Sequence, residues 1–268
     1  MSRITFYGTT DTGCVRQENQ DAILINGIIE RDTVAMELSS EGLFYKHYGL
    51  LCAVADGIGG QEGGAMASHL VLRDLAAELF QLSSCATSEE AERYLEELVQ
   101  RMHQSVIHQG KMNPHLAKMG TTLTGIYLRP NYGIYFHAGD SRLYRFRGDF
   151  LIQLTNDHVL ENINDSPGEN VLEGSKSGII TSSIGGGPSA RCLLDTSEVL
   201  MEADDILMLC SDGLSNMVPL EKMEEIIADN NDNLENAVES LITAAKNAGG
   251  YDNISVILMK KRSIEPKY

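Results

Sequence analysis

Apolar residues along the chain follow two spacings. Short, nearly continuous runs lie at Ile4–Tyr7, Ala22–Ile25, Leu50–Ala55, Thr122–Leu128, Gly133–Phe136, Arg142–Phe146, Ile206–Cys210 and Ile254–Met259. Their length and composition predict strands. Turn-forming residues (Arg129-Pro130-Asn131, Gly139-Asp140 and Arg147-Gly148-Asp149) separate the consecutive runs between Thr122 and Leu154, which predicts a series of antiparallel hairpins. Elsewhere the spacing is helical. Val71, Leu75, Leu79 and Leu82, with Leu72 and Ala76, form one stripe after the glycines at 63 and 64. Thr87, with Glu90 three residues on, predicts a capping box ahead of a helix carrying Leu95, Leu98, Val99, Met102 and Val106. Pro219 opens a short helix with Met223, Ile226 and Ile227, and Asn233 caps another that Gly249-Gly250 stops. Strands, two long helices, strands, two helices and a last strand do not make a regular βαβ series. The expected class is α+β, antiparallel sheets covered by helices.

Composition narrows the setting. The 268 residues, 43% hydrophobic and 22% charged, suit one globular domain over residues 1–262 with a short tail at 263–268. A formal net charge of -17 opposes contact with nucleic acid, whose binding needs many Lys and Arg to displace counterions. Cys14, Cys52, Cys85, Cys192 and Cys210 are dispersed without a C-x-x-C pair, which points away from a disulfide framework or zinc knuckle. No signal peptide and no membrane span are recognisable, so a cytoplasmic monomer with no membrane partner is expected.

The candidate chemistry lies where apolar runs end in aspartate. Leu50–Ala55 runs into Asp56-Gly57-Ile58-Gly59-Gly60, Ile206–Cys210 into Ser211-Asp212-Gly213, and the run from Gly133 into Gly139-Asp140-Ser141-Arg142, while Asp252-Asn253 precedes the last strand. A carboxylate at the edge of a core is costly unless it meets a donor or a cation. Taken singly, each Asp-Gly also reads as a turn, and Asp140 as a loop cap. If these strand ends converge, their repulsion calls for positive charge, and clustered Asp suits Mg²⁺ or Mn²⁺ better than zinc. Two such ions about 4 Å apart can activate water for in-line attack at phosphorus. Arg16 could grip two phosphate oxygens or simply pair with Glu18 or Asp21.

Taken in order, Arg16-Gln17-Glu18-Asn19-Gln20-Asp21, Asp56-Gly57-Ile58-Gly59-Gly60, Gly120-Thr121-Thr122, Gly139-Asp140-Ser141-Arg142, Leu154-Thr155-Asn156-Asp157-His158, Ser211-Asp212-Gly213 and Asp252-Asn253 resemble the motif series of the metal-dependent Ser/Thr protein phosphatases, the PPM or type 2C family, in its bacterial form. The resemblance implies a four-layer αββα sandwich of two antiparallel sheets flanked by helices. It also implies hydrolysis of phosphoserine and phosphothreonine in proteins by metal-activated water at a binuclear Asp-rich centre. Asp56, Asp212 and Asp252 match ligands of the first metal; Asp56 and the Gly57 carbonyl match the second. Asp21 matches a residue holding metal-bound water, Asp140 with Asp212 a weaker third site, and Arg16 the phosphate-binding arginine. Catalytic roles thus fall to Arg16, Asp21, Asp56 and Asp212, the cofactors to two Mn²⁺ or Mg²⁺ ions with a third held more weakly, and the partners to phosphorylated proteins acted on by a Ser/Thr kinase.

Two departures stand out. Gln20 replaces the Glu of many members, and Ile58 stands where some carry a histidine assigned as general acid, which leaves the proton donor open. His137 and His158 are available but read as hydrogen-bonding residues, Asn253 as orienting Asp252 or closing a turn, and Gly120-Thr121-Thr122 as the start of a core strand. Leu160 to Gly178 corresponds to the variable flap, and the segment from Gly27 to Gly49 has no assigned role. The rival reading is a catalytically weak phosphatase-like module that binds or senses phosphoprotein. A metal-dependent nuclease is opposed by the acidic charge.

Overall fold

The computed structural model describes residues 2–30, 33–39, 42–160 and 179–263. One six-stranded sheet runs, in spatial order, Phe150–Gln153, Arg142–Arg147, Ile206–Cys210, Ile254–Ser263, Ser2–Asp11, Val34–Ser39. The other runs Asp195–Glu198, Gly133–Ala138, Leu123–Leu128, Leu50–Ala55, Ala22–Ile25, Ile28–Glu30. Every neighbouring pair in both sheets is antiparallel.

Alternate side chains of a strand point to opposite faces, and here both faces are covered. Leu50, Cys52 and Val54 pack between the sheets with Ile4, Phe6, Leu209 and Ile257. Leu51, Ala53 and Ala55 turn the other way, against apolar residues of the helices Gln61–Ala77 and Ser88–Met112. On the first sheet Tyr7, Met208, Val256 and Leu258 pack against the helices Leu220–Asp229 and Leu234–Asn247. The result is helix, sheet, sheet, helix. Double coverage explains why the strand runs are unbroken rather than alternating.

The chain departs from the local reading in three places. The turns after Leu128 and Arg147 close hairpins as expected, but Gly139-Asp140 does not. Gly133–Ala138 lies in one sheet and Arg142–Arg147 in the other, so this turn carries the chain across the sandwich. Apolar periodicity specifies a buried strand, not which sheet it joins. The first long helix starts at Gln61, incorporates Gly63 and Gly64, ends at Ala77 and resumes as Leu79–Leu82. Gly120–Thr121 enters a small three-stranded ladder with Gly57–Ile58 and Ile184–Gly185, with Thr122 between it and the core strand.

The helix caps behave as their residues suggest. Thr87 Oγ1 accepts from Glu90 N–H at 3.3 Å, although the Glu90 carboxylate reaches Ala86 N–H at 2.8 Å, one residue earlier than a standard box. Asn233 Oδ1 accepts from Asn236 N–H at 3.1 Å. The segment from Gly27 to Gly49 supplies an edge strand to each sheet and a helix, Leu43–Tyr48. Of the expected flap only its flank is described, with Val159–Leu160 pairing Ile179–Ile180; residues 161–178 and the tail at 264–268 lie outside the described residues. Among the described residues, no helix is long and apolar enough to cross a membrane.

Candidate metal centre

Strand register brings the acidic residues to one end of the sandwich. Ala22 pairs with Ala55, so Asp21, just before one strand, lies beside Asp56, just after its antiparallel neighbour. Cys210 pairs with both Val256 and Arg142, which sets Asp212 next to the Asp252-Asn253 turn and the Gly139-Asp140-Ser141 turn. Ser255 Oγ donates to Asp21 Oδ2 at 2.7 Å and so joins the two sheets at this end.

The electrostatics are those of too many carboxyls for the cations present. Asp21 is fully buried, and its Oδ1 has no hydrogen-bond partner among the described residues. Burial pushes its carboxyl up to about 7; hydrogen bonds from Ser211 and Ser255 pull it back, while the charges of Asp212 and Asp252 add to the rise. Asp56 keeps some residue surface in contact with solvent, yet enclosure of its carboxyl, followed by the charges of Asp21, Asp212, Asp140 and Asp252, lifts it well above the usual range. Asp140 is lifted to about 7, by burial first and then by Asp212 and Asp157. Asp212 is raised by burial and by Asp252, with partial relief from a hydrogen bond with Asp56 and from Arg16 and Arg142. Its Oδ1 is likewise buried without a partner among the described residues, and its Oδ2 accepts from Asn216 Nδ2 at 3.2 Å.

Positive charge nearby is already engaged. Arg16, exposed at the rim, donates to Asp252 Oδ2 at 2.7 Å, so its partner is neither Glu18 nor Asp21. That bond, with the charges of Asp252, Asp56 and Asp212, raises the Arg16 guanidinium. Arg142 forks onto Asp157, with its closest contact at 2.6 Å. Among the described residues, no three His, Cys, Asp or Glu side chains are drawn close enough to hold an ion as they stand.

The glycines beside the aspartates serve close approach. Neither Gly57 nor Gly213 has a positive φ, so neither is needed for a left-handed turn. A Cβ on Gly57 would lie 2.4 Å from the backbone C and O of Gly64 and 2.7 Å from Gln20 O, and one on Gly213 would lie 1.9 Å from Asn253 O. The backbone around both aspartates is therefore packed directly on other backbone.

Apart from Asn253, expected to orient Asp252 or close a turn, the supporting groups were not legible as such. Asn253 Oδ1 accepts from Gln20 N–H at 2.8 Å, and its Nδ2 donates to Thr12 O and Glu18 O at 2.9 and 3.0 Å, tying down the loop that carries Arg16. Asn253 N–H also donates to Asp252 Oδ1 at 2.9 Å. Ser68 Oγ donates to Gln20 O at 2.6 Å, which fixes that segment to the first long helix. Such bonds carry no local signature beyond an Asn or Ser in a buried stretch. His137 is fully buried between Thr124 Oγ1 and Asn156 O, and burial, then His158, lowers it to about 4. His158 lies between Gly139 N and Asp195 Oδ2. Ile58 sits in the small ladder and offers no proton.

A family model described as Protein phosphatase 2C matches residues 24–244. The chain belongs to this family. It is 30% identical over 260 residues to the Listeria innocua protein named serine/threonine phosphatase stp, covering 96% of this chain and 95% of that protein. It is 32% identical over 254 residues to protein phosphatase PhpP of Streptococcus pneumoniae, covering 93% and 94%. The S. agalactiae serine/threonine phosphatase structure superposes with a TM-score of 0.79 at 27% identity, covering 96% of this chain and 99% of that one. The catalytic domain of the serine threonine protein phosphatase PstP, in complex with 2 manganese ions, gives a TM-score of 0.73 at 28% identity, covering 98% and 100%. The four-layer α+β architecture is the one these family structures share, and the expected enzyme class, protein-serine/threonine phosphatase, is that of the named relatives.

The donor set suits hard divalent cations. All the clustered side chains are oxygen donors, two of their oxygens are buried without partners among the described residues, and four of the carboxyls are pushed toward protonation. Positive charge entering among them would relieve all of these penalties together.

Proposed function

We propose that this protein hydrolyses phosphoserine and phosphothreonine in phosphorylated proteins, as a cytoplasmic monomer opposing a Ser/Thr kinase, with residues 1–262 as one catalytic domain. The observation that carries the reading is the convergence of Asp21, Asp56, Asp140 and Asp212 at one sandwich end, each carboxyl raised above its ordinary range. Asp56, Asp212, Asp252 and the carbonyl of Gly57 would hold two Mn²⁺ or Mg²⁺ ions, and Asp140 with Asp212 a weaker third. Bound there, such ions supply Lewis acidity at phosphoryl oxygens and lower the pKa of the attacking water.

The chain's own residues supply orientation. Asp21, anchored through Oδ2 by Ser255, keeps Oδ1 free to accept a hydrogen bond from water. Arg16 stands at the rim, where a phosphoryl group would compete with Asp252 for its guanidinium and gain a two-pronged contact. Neither Ile58 nor the engaged His137 and His158 provides an evident acid for the leaving alcohol. Solvent is the donor consistent with that arrangement.

The test is hydrolysis of a phosphothreonine peptide by the purified protein. Mn²⁺ should support turnover, EDTA should abolish it, and Asp212→Asn should reduce it by more than ~100-fold, beyond what an outer partner of a ligand costs. Undiminished turnover in EDTA would sink the mechanism. The rival is a catalytically weak phosphatase-like module that binds or senses phosphoprotein. Calorimetric Mn²⁺ binding without hydrolysis of any phosphopeptide would select it.

A further inference from the structure

Behind Asp56 and Asp140 lies a set of hydroxyls that the chemistry above does not use. Thr121, Thr122, Thr124 and Ser141 are all 0% exposed. Thr122 Oγ1 accepts from the Asp56 amide at 3.0 Å and lies 2.8 Å from Ser141 Oγ, either hydroxyl serving as donor. The carbonyl of Asp56 accepts from Thr122 N–H and from Thr121 Oγ1, both at 2.8 Å. Thr122 thus grips both sides of the Asp56 backbone.

The other end of the link is the Gly139-Asp140-Ser141 turn. Thr124 Oγ1 donates to Ser141 O at 2.8 Å. His158 N–H donates to Gly139 O at 2.7 Å, and Gly139 N–H donates to His158 Nδ1 at 3.3 Å. A Cβ on Gly139, whose φ is +124°, would lie 2.6 Å from Thr122 Cβ and Cγ2, so the Thr122 side chain fills the space between the two aspartate-bearing loops.

A valine would fill that volume as well. A buried hydroxyl adds a desolvation cost that its bonds to Asp56 and Ser141 must offset, so what it contributes beyond packing is a fixed geometry. Two like-charged carboxyls on adjoining loops spread apart unless their backbones are held. We infer that Thr122 and Ser141 are positioning residues that hold Asp140 at a set distance from Asp56, and thereby govern the affinity of the weaker cation site Asp140 would share with Asp212, without supplying a ligand themselves. The inference rests on the metal-centre reading above.

Calorimetric titration of the full chain with Mn²⁺ alone tests it. Ser141→Ala should weaken the low-affinity Mn²⁺ event about tenfold, the scale set by loss of a ligand's outer partner, and leave the tighter events within twofold. Thr122→Val, which keeps the packing but removes the acceptor for the Asp56 amide, should weaken both classes; Thr122→Ser should restore them. Urea unfolding in EDTA shows whether each variant is folded. If Ser141→Ala binds Mn²⁺ like the unaltered protein while Asp140→Asn loses the weak event, the inference is overturned and the metal centre stands. A parallel fall in tight and weak events for Ser141→Ala also overturns it, as general loosening. Binding by Asp212→Asn and Asp140→Asn indistinguishable from the unaltered protein would remove the metal centre, and the inference with it.

Discussion

Asp21→Asn replaces the most enclosed carboxyl of the cluster by a neutral group of the same shape. In the native protein the Asp21 carboxyl is raised from 3.8 to about 7. A raised carboxyl contributes stability that is fully present below its unfolded value and is lost as pH climbs through its folded value. The metal-free protein should therefore lose stability between about pH 4 and pH 7. A shift of roughly 3 pH units at about 1.36 kcal/mol each gives ~4 kcal/mol, an upper bound because neighbouring aspartates share the effect. Asn escapes this loss. It keeps an oxygen for Ser255 but places an amide where Oδ1 has no partner, which costs about 1–3 kcal/mol. The net expectation in EDTA at pH 8 is a variant more stable by about 2 kcal/mol, with the advantage gone near pH 4. Mn²⁺ should reverse the order, because it offsets the charge that Asn no longer carries. Urea unfolding of both proteins from pH 4.5 to 8, in EDTA and in Mn²⁺, measures the difference and cancels the field of the other acidic residues. An unaltered protein that holds its stability relative to the variant across this range in EDTA would refute the reasoning.

Two further outcomes follow from the same geometry. Arg16→Lys keeps a positive charge at the rim but loses the planar fork, so KM for a phosphothreonine peptide should rise about tenfold while Mn²⁺ affinity stays within twofold; steady-state kinetics with an unchanged KM would remove the phosphate contact. Gly57→Ala drives a Cβ to 2.4 Å from the Gly64 backbone, and should destabilise by about 2–3 kcal/mol in chemical denaturation; a midpoint equal to that of the unaltered protein would mean the two loops are free to part.

Much of the architecture was legible because burial leaves a period. Leu50–Ala55, Ala22–Ile25 and Ile206–Cys210 begin and end in the structure where their apolar runs do, and Thr87 and Asn233 cap the helices they were expected to cap. The aspartates were visible because a charged residue directly after a core strand is costly without a reason. The segment from Gly27 to Gly49 was not legible: its strands lie at sheet edges, where one side of the backbone has no neighbour and the apolar pattern weakens.

The sequence by itself determined the central core strands and the main helices, the acidic oxygen-donor chemistry and, through ordered motifs, the family. Tertiary structure alone decided that Gly139-Asp140 crosses between sheets, that Gly57 and Gly213 permit backbone contact, and that Arg16 pairs with Asp252, 236 residues away. It also decided that Thr122 and Ser141 meet between two aspartates. The division has one physical cause. Periodicity and capping report how each residue faces its immediate surroundings, whereas adjacency at the cleft is set by the register of antiparallel strands, which depends on partners far along the chain.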